Sequence, residues 1–255
     1  MPTHPRVYTT EAVVLRRSDY GEADRILTLF TPTYGKVRAI AKGVRRTTSR
    51  LAGHLEPFTR TQVLLATGRD LDVLTQAEGR ERLDALRESL WHMSGAWYCS
   101  ELVDRFLEDA DPHPRLYSLY VQTLRLLNTS AAAPESRSRS WLGLRYFELR
   151  LLDELGYRPA LHNCAGCDTP LLPQANGFNA ELGGVLCSAC SRYAQRQVTL
   201  PAFKVLRLLQ TTTWEALPPL RLEADVQQEI EGLLQATLRY HLDKDLRSWS
   251  FLHGH

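Results

Sequence analysis

Four cysteines in two Cys-x-x-Cys pairs constrain this sequence more than any other feature. The pairs are Cys164-Ala-Gly-Cys167 and Cys187-Ser-Ala-Cys190, and nineteen residues separate them. Each pair can present two thiolates to one ion, and the small residues between them leave backbone N–H groups free to point at the sulfurs. The spacing favours one structural zinc ion, because four protein ligands leave no open position for water. The alternatives are a redox dithiol, an iron–sulfur or other metal, and a degenerate site without metal.

The first eighty residues are predicted to form short strands separated by turns. Aliphatic and β-branched runs give the strand candidates, and Gly, Pro and Asp mark the intervals between them. The candidates are 7–15, 25–30, 36–41, 60–66 and 71–76. Five strands in so short a segment, without a long helical stretch, favour a small β-barrel of the OB-fold type over a sandwich.

From Arg80 onward, apolar residues recur at steps of three and four, which is typical of amphipathic helices. A first helix carries a stripe from Leu83 to Trp97, and a second follows the prolines at 112 and 114. A third begins near Trp141 and ends at a cap on Gly156, after a polar loop over 129–139. The prediction is an α+β multidomain chain: an OB-fold domain at 1–80, a helical domain at 81–159 and 196–255, and a zinc-binding insertion with four cysteine ligands at 160–195.

Charge is unevenly distributed along the chain although its total is balanced. The 31 basic and 29 acidic residues give a net charge of +2, which is too small to indicate a nucleic-acid or membrane partner by itself. Residues 1–80 hold thirteen basic against eight acidic residues, whereas residues 81–255 hold eighteen against twenty-one. The positive charge is therefore concentrated in the N-terminal part of the chain. The high Arg content has two equally good explanations, an Arg-biased genome and selection for phosphate binding.

One interval of the predicted barrel, residues 25–55, holds seven basic residues and no acidic one. Strand alternation and a following polar loop bring six of them to one candidate DNA-binding surface. These are Lys36, Arg38, Lys42, Arg45, Arg46 and Arg50. Four nearby aromatic residues are candidates for base stacking, namely Tyr20, Phe30, Tyr34 and Phe58. The alternative is that the cations only solvate the barrel and the aromatic residues belong to its core.

Signatures of enzymatic chemistry are scarce in this sequence. A phosphate-binding loop of the Gly-x-x-x-x-Gly-Lys-Ser/Thr type, a Gly-x-Gly-x-x-Gly motif and a Gly-x-Ser-x-Gly motif are all missing. The acidic pairs Asp19/Asp24 and Asp70/Asp72 flank predicted turns, where Asp commonly accepts backbone hydrogen bonds. A metal-dependent nuclease is therefore a minor alternative, and we expect a protein that is not an enzyme and needs no nucleotide cofactor.

Three segments carry a resemblance to a known family. Asp19-Tyr-Gly-Glu-Ala-Asp-Arg-Ile-Leu-Thr-Leu-Phe-Thr31 and Gly35-Lys-Val-Arg-Ala-Ile-Ala-Lys-Gly-Val-Arg-Arg46 resemble the N-terminal signature of RecO, a bacterial family of DNA repair and recombination mediators. Leu152-Asp-Glu-Leu-Gly-Tyr157, followed by Pro159, is similar to its C-terminal signature. The resemblance extends from about residue 8 to residue 246.

The resemblance implies an N-terminal OB-fold, a helical domain and a zinc-binding insertion. It also implies binding to single- and double-stranded DNA, annealing of complementary strands, and action with RecR to load RecA onto DNA covered by single-stranded DNA-binding protein. The basic surface of the family would correspond here to Lys36, Arg38, Lys42, Arg45 and Arg46.

The leading hypothesis is a DNA-binding mediator that holds phosphates electrostatically. The rival is a zinc-containing protein-interaction scaffold for which DNA contact is incidental. The sequence shows neither a signal peptide nor a membrane segment, so we expect a cytoplasmic, nucleoid-associated protein with no membrane partner.

Overall fold

The computed structural model describes residues 5–133, 137–242, 246 and 248. The chain divides into two compact units, Met1–Pro134 with Arg247–His255, and Glu135–Leu246. The domain boundaries drawn from the sequence stay a prediction.

Strands followed by helices make up the described part of the first unit. Its strands are β1 (Val7–Tyr20), β2 (Asp24–Thr31), β3 (Gly35–Ala41), β4 (Arg60–Ala66) and β5 (Asp72–Glu81). Its helices are α1 (Asp84–Glu88), α2 (Leu90–Phe106) and α3 (Pro114–Ala131).

The five strands close into a barrel in the order β1-β2-β3-β5-β4, with β4 returning to β1. The pairs are antiparallel except β3 with β5, where Ala39 and Ile40 pair with Asp72 and Val73 in parallel. Strand β1 is long enough to pair with β4 through its first half and with β2 through its second, and a bulge near Arg16 bends it between the two. This closed barrel, followed by a helical region, confirms the predicted OB-fold and fold class.

The interior of the barrel is filled by the inward residues of all five strands, among them Ala12, Leu29, Ala39 and Leu65, which are almost fully buried. A second apolar contact covers part of its outside. The Phe30 ring points away from the interior and meets Tyr117 of α3 edge-on, with 5.4 Å between ring centroids. Helices therefore shield one side of the outer surface, whereas Arg38 of β3 is exposed and Ile26 and Ile40 are partly accessible.

The helices of the first unit begin later than the sequence periodicity predicts. Strand β5 continues to Glu81, and an extended residue, Ser89, separates α1 from α2, so the single helix predicted from Arg80 is two helices. Beyond the break the predicted stripe is out of phase, and Leu90 is 76% exposed. The predicted loop over 129–139 is also shorter, because α3 continues to Ala131; residues 134–136 lie outside the described residues.

The second unit combines three helices with a small sheet in its described residues. These are α4 (Arg137–Glu154), α5 (Leu200–Thr211) and α6 (Ala224–Leu242), with β6 (Asn176–Asn179), β7 (Gly184–Leu186) and β8 (Arg196–Val198). The sheet is antiparallel, with β6 in the middle. The predicted cap is confirmed, because Gly156 adopts a left-handed φ of +81° and the Tyr157 N–H donates to the Leu152 carbonyl at 2.7 Å. Across the described ranges, no helix has the length and apolar character required to span a bilayer.

Candidate functional site

The four predicted cysteine ligands converge in the second unit. Their sulfur atoms all lie within 4.8 Å of one another, and the Cys167 and Cys187 sulfurs are 3.7 Å apart. Tetrahedral Zn–S bonds of about 2.3 Å place sulfurs about 3.8 Å apart. Cys164, Cys167, Cys187 and Cys190 therefore fit a single ion, and among the described residues they form the only cluster of His, Cys, Asp or Glu found able to hold one.

Backbone pairing brings the two halves of this cluster together. The first pair is tied to β7, because the Ala165 N–H donates to the Val185 carbonyl at 2.8 Å, and β7 leads directly into Cys187. Between the first two cysteines, a Cβ atom on Gly166 would lie 3.2 Å from the Cys190 sulfur. Packing thus favours a small residue here, and the Gly166 N–H points at the Cys164 sulfur, 3.4 Å away, as predicted.

Electrostatics prepares part of this cluster for a cation. Burial opposes ionisation of Cys164, but N–H groups of Cys187 and Gly166 donate to its sulfur at 3.3 and 3.4 Å and lower the thiol pKa to about 6. The hydrogen bond with the neighbouring Cys167 sulfur instead raises the pKa of Cys190 to about 12. A cation would be needed to hold all four sulfurs as thiolates at neutral pH.

The predicted basic surface lies on the outer face of the barrel. Along β3 the residues alternate between buried and accessible, so Arg38 is exposed, and Lys42 is exposed just beyond the strand. Arg46 and Arg50 are exposed in the loop that follows. Within the part of the chain that the structure describes, no hydrogen bond or ion pair holds these four charged groups.

Arg45 belongs to the same loop but has a local partner. Its guanidinium lies 3.4 Å from the Asp19 carboxylate, which also accepts a hydrogen bond from Arg25 at 3.0 Å. The hydrogen bond from Arg25 lowers the pKa of the Asp19 carboxyl, and the nearby charge of Arg45 adds to this effect. Arg45 therefore forms an exposed ion pair with Asp19, which it shares with Arg25.

Lys36 differs from the other predicted DNA-binding residues. Its ammonium donates to the main-chain carbonyls of Asp104 at 2.6 Å and Leu107 at 2.8 Å, and it lies 3.4 Å from the Asp104 carboxylate. Only 11% of the side chain is exposed. These contacts neutralise and cap the C-terminal end of α2 and favour a structural role. The assignment of Lys36 to the DNA surface stays a prediction that its contacts do not support.

The sequence carried no signal for this role of Lys36. Its partners are backbone carbonyls 68 and 71 residues away along the chain. Main-chain acceptors have no side-chain signature, so strand alternation alone groups Lys36 with Arg38.

The predicted stacking aromatics separate into two groups. Phe30 and Phe58 are buried, and Phe58 meets Trp97 edge-on with 4.8 Å between ring centroids. Tyr34 packs against Tyr8 at 4.4 Å. The core interpretation therefore holds for these residues, whereas Tyr20 is 55% exposed.

Asp24 and Asp72, one from each acidic pair, are engaged in the local structure. The Asp24 carboxylate accepts the Gly43 N–H at 2.7 Å, and Asp72 accepts the Gly68 N–H at 3.0 Å and the Tyr8 hydroxyl. These contacts support the turn-forming interpretation for Asp24 and Asp72.

The fold and the two sites define a class of protein: an OB-fold barrel with a basic outer surface, joined to a helical unit that carries a cluster of four cysteines able to fit a metal ion. Residues 6–82 match the family model described as "Recombination protein O N terminal" and residues 87–250 match "Recombination protein O C terminal". The chain belongs to the RecO family of DNA repair proteins.

Relatives across several bacteria are similar over nearly the full chain. The DNA repair protein RecO of Roseiflexus sp. (strain RS-1) is 44% identical over 97% of this chain and 85% of its own length. That of Desulforudis audaxviator is 38% identical over 96% of both chains. That of Pelotomaculum thermopropionicum is 36% identical over 97% of this chain and 94% of its own.

The structural role of Lys36 can be tested against its neighbour on β3. We expect Lys36→Met to lower the free energy of unfolding by about 2–3 kcal/mol, because it removes charge-assisted hydrogen bonds and leaves buried carbonyls unsatisfied. The melting temperature measured by circular dichroism should fall by about 5 °C or more. The matched variant Arg38→Met should change it little. If Lys36→Met is as stable as wild type but binds DNA more weakly, the structural role is wrong and Lys36 belongs to the DNA-binding surface.

Proposed function

We propose that this protein binds single- and double-stranded DNA without sequence preference through the outer basic surface of its barrel. The surface consists of Arg38, Lys42, Arg45, Arg46 and Arg50. The observation that carries the proposal is the exposure of these cations: four of the five have no hydrogen bond or ion pair among the described residues. Cations that keep their hydration and counterions can exchange both for phosphates.

The position of these residues on the barrel supports the proposal. Arg38 lies on β3, and the face of strands 2 and 3 is a common oligonucleotide-binding surface of OB-folds. At about 3.3 Å per residue, Arg38 and Lys42 are separated by about 13 Å along the strand direction, so they would contact different phosphates. Phosphate contacts position a nucleic acid without reading its bases, which accounts for binding without sequence preference.

The cysteine cluster is proposed to hold one zinc ion in a structural role. Cys164, Cys167, Cys187 and Cys190 would supply four thiolates and leave no position for a water molecule. A bound zinc ion would cross-link the two cysteine turns and balance the negative charge of their thiolates. The sheet of this module consists of only three short strands, so such a cross-link would stabilise it. The cysteine residues themselves tie the Cys164–Cys167 turn to the end of β7, because the Cys187 N–H donates to the Cys164 sulfur at 3.3 Å.

Membership of the family and the exposed cations of the barrel also support a proposal of annealing and mediator activities. A surface that neutralises phosphates lowers the repulsion between two complementary strands and so favours their pairing. We propose that the protein anneals strands in this way and acts with RecR to load RecA onto DNA covered by single-stranded DNA-binding protein. The family membership and the basic surface support this proposal. We propose further that the protein acts at the nucleoid, in the cytoplasm.

The zinc proposal predicts one zinc per chain in the purified protein, measured by mass spectrometry. Cys167→Ser should lose the metal and lower the melting temperature, because metal binding contributes free energy to folding. Cys99→Ala is the matched control: Cys99 is buried in α2, far from the cluster in sequence, and its variant should keep the full zinc content. Metal-free wild-type protein of unchanged stability would contradict the proposal.

The DNA proposal predicts how individual cations affect the salt dependence of binding. Lys42→Ala and Arg46→Ala should each flatten the slope of log affinity against log salt by about one, equally for all oligonucleotide sequences. Arg221→Ala, which removes an exposed cation of the second unit, is the matched control and should change little. The measurement is fluorescence anisotropy over about 50–200 mM salt. Wild-type slopes in both barrel variants would place the binding site elsewhere.

The annealing proposal predicts stoichiometric activity without nucleotide. The rate at which complementary labelled strands pair should rise with the ratio of protein to DNA and saturate when the strands are covered, with or without ATP. Lys42→Ala combined with Arg46→Ala should slow annealing, because fewer phosphates are neutralised. DNA-stimulated ATP turnover in a preparation free of RecA and helicases would overturn this interpretation.

A further inference from the structure

The outward face of the first three strands carries an aromatic residue beside the proposed phosphate contacts. Ile40, which alternates outward with Arg38, pairs with Ile26 of β2. Asp24 lies two residues before Ile26 on the same side of the sheet, and it pairs with Tyr20 of β1. Residues that pair across neighbouring strands point to the same face. Tyr20 therefore lies on the face that also carries Arg38.

Hydrogen bonds fix the position of Tyr20 relative to the basic loop. The turn after Tyr20 is joined to that loop by the Arg45 N–H, which donates to the Ala23 carbonyl at 2.9 Å. The Gly43 N–H donates to the Asp24 carboxylate at 2.7 Å. The tip of the β1–β2 hairpin and the cations of the loop thus form one preorganised surface.

The Tyr20 ring is accessible, unlike the other predicted stacking residues. Its 55% exposure contrasts with the buried rings of Phe30 and Phe58. Among the described residues it makes no hydrogen bond and no contact with another ring. The Tyr20 ring is therefore accessible to a ligand that binds the basic surface.

The charge of the hairpin tip indicates which part of a nucleotide it can accept. Asp19, Glu22 and Asp24 lie at the tip and would repel a phosphate. Arg25 and Arg45 are the cations nearest to this tip, and both contact the Asp19 carboxylate, which partly neutralises their charge. A nucleotide at this point would be held through the apolar face of its base, while its neighbours along the strand meet Lys42 and Arg46.

We propose that Tyr20 is a stacking platform for one base of single-stranded DNA at the edge of the basic surface. This inference rests on the proposed DNA-binding function and adds a contact that distinguishes single strands from duplex. Every base presents a π-face, so the contact tolerates any sequence. Bases within a duplex are already stacked and must be extruded before a protein ring can reach them. Tyr20 therefore contributes to single-strand binding alone.

The test compares Tyr20→Ala with wild type on a single-stranded oligonucleotide and on the duplex of the same sequence. Single-strand affinity should fall about tenfold, the size expected for loss of one base stack. Duplex affinity should stay at the wild-type value. The slope of log affinity against log salt should also stay unchanged, because no ion is released by a stacking contact. A flattened slope would show that Tyr20 acts through the phosphate contacts and would overturn the inference.

Three controls make the result specific to the ring. Tyr20→Phe keeps the aromatic face and should retain the single-strand affinity. Tyr193→Ala removes a tyrosine of similar exposure, 51%, from the second unit and should have no effect. An oligonucleotide of the same length whose sugars lack bases should bind wild type and Tyr20→Ala equally. Unchanged melting temperatures show that the variants are folded.

The outcomes separate this inference from the proposed function. If wild type binds neither single strands nor duplex, the proposed function itself fails. If wild type binds both, Lys42→Ala flattens the salt slope and Tyr20→Ala binds single strands like wild type, the basic surface stands and the stacking role of Tyr20 is refuted. Selective loss of single-strand affinity in Tyr20→Ala, restored in Tyr20→Phe, supports it.

Discussion

The contact between the start of β3 and the chain that follows α2 determines which part of the barrel surface remains open. The Lys36 carbonyl accepts the Ala110 N–H at 2.9 Å, and the Lys36 ammonium caps carbonyls at the end of the helix. A Cβ atom on Gly35 would lie 2.2 Å from the Asp111 carbonyl oxygen, and its φ is +65°, so only glycine fits there. This close backbone contact covers the first residues of β3 and ends before Arg38.

The four-cysteine cluster depends on a different balance, that between like charges. Its four sulfurs lie within 4.8 Å of one another, so four thiolates there would repel each other strongly. Backbone N–H groups stabilise the Cys164 thiolate, but hydrogen bonding with neighbouring sulfur raises the pKa of Cys190 to about 12. The spacing of the sulfurs therefore fits a divalent cation. A cation is also needed if all four cysteines are to be ionised together, because only its charge offsets their mutual repulsion.

Local patterns were sufficient for much of the fold and for the cysteine cluster. Strand alternation predicted the outward direction of Arg38, and Cys-x-x-Cys spacing predicted four sulfurs that the structure brings within 4.8 Å of one another. Both depend on residues that are near in sequence or chemically distinctive. Gly156 was predictable for the same reason, because a left-handed cap favours glycine whatever surrounds it.

Interactions between distant segments could not be predicted in this way. Phe30 alternates outward from the barrel, so periodicity alone makes it a surface residue, but Tyr117 of α3 covers it. Lys36 has the same charge as Arg38 and lies on the same face of β3. The position of α2 alone decides that the Lys36 ammonium is desolvated whereas the Arg38 guanidinium stays hydrated. A desolvated cation must keep its partners, whereas a hydrated one can exchange water and counterions for phosphate. Stability and the proposed DNA binding can therefore be divided between two residues of one strand, separated by about 7 Å, because the edge of the helix contact falls between them.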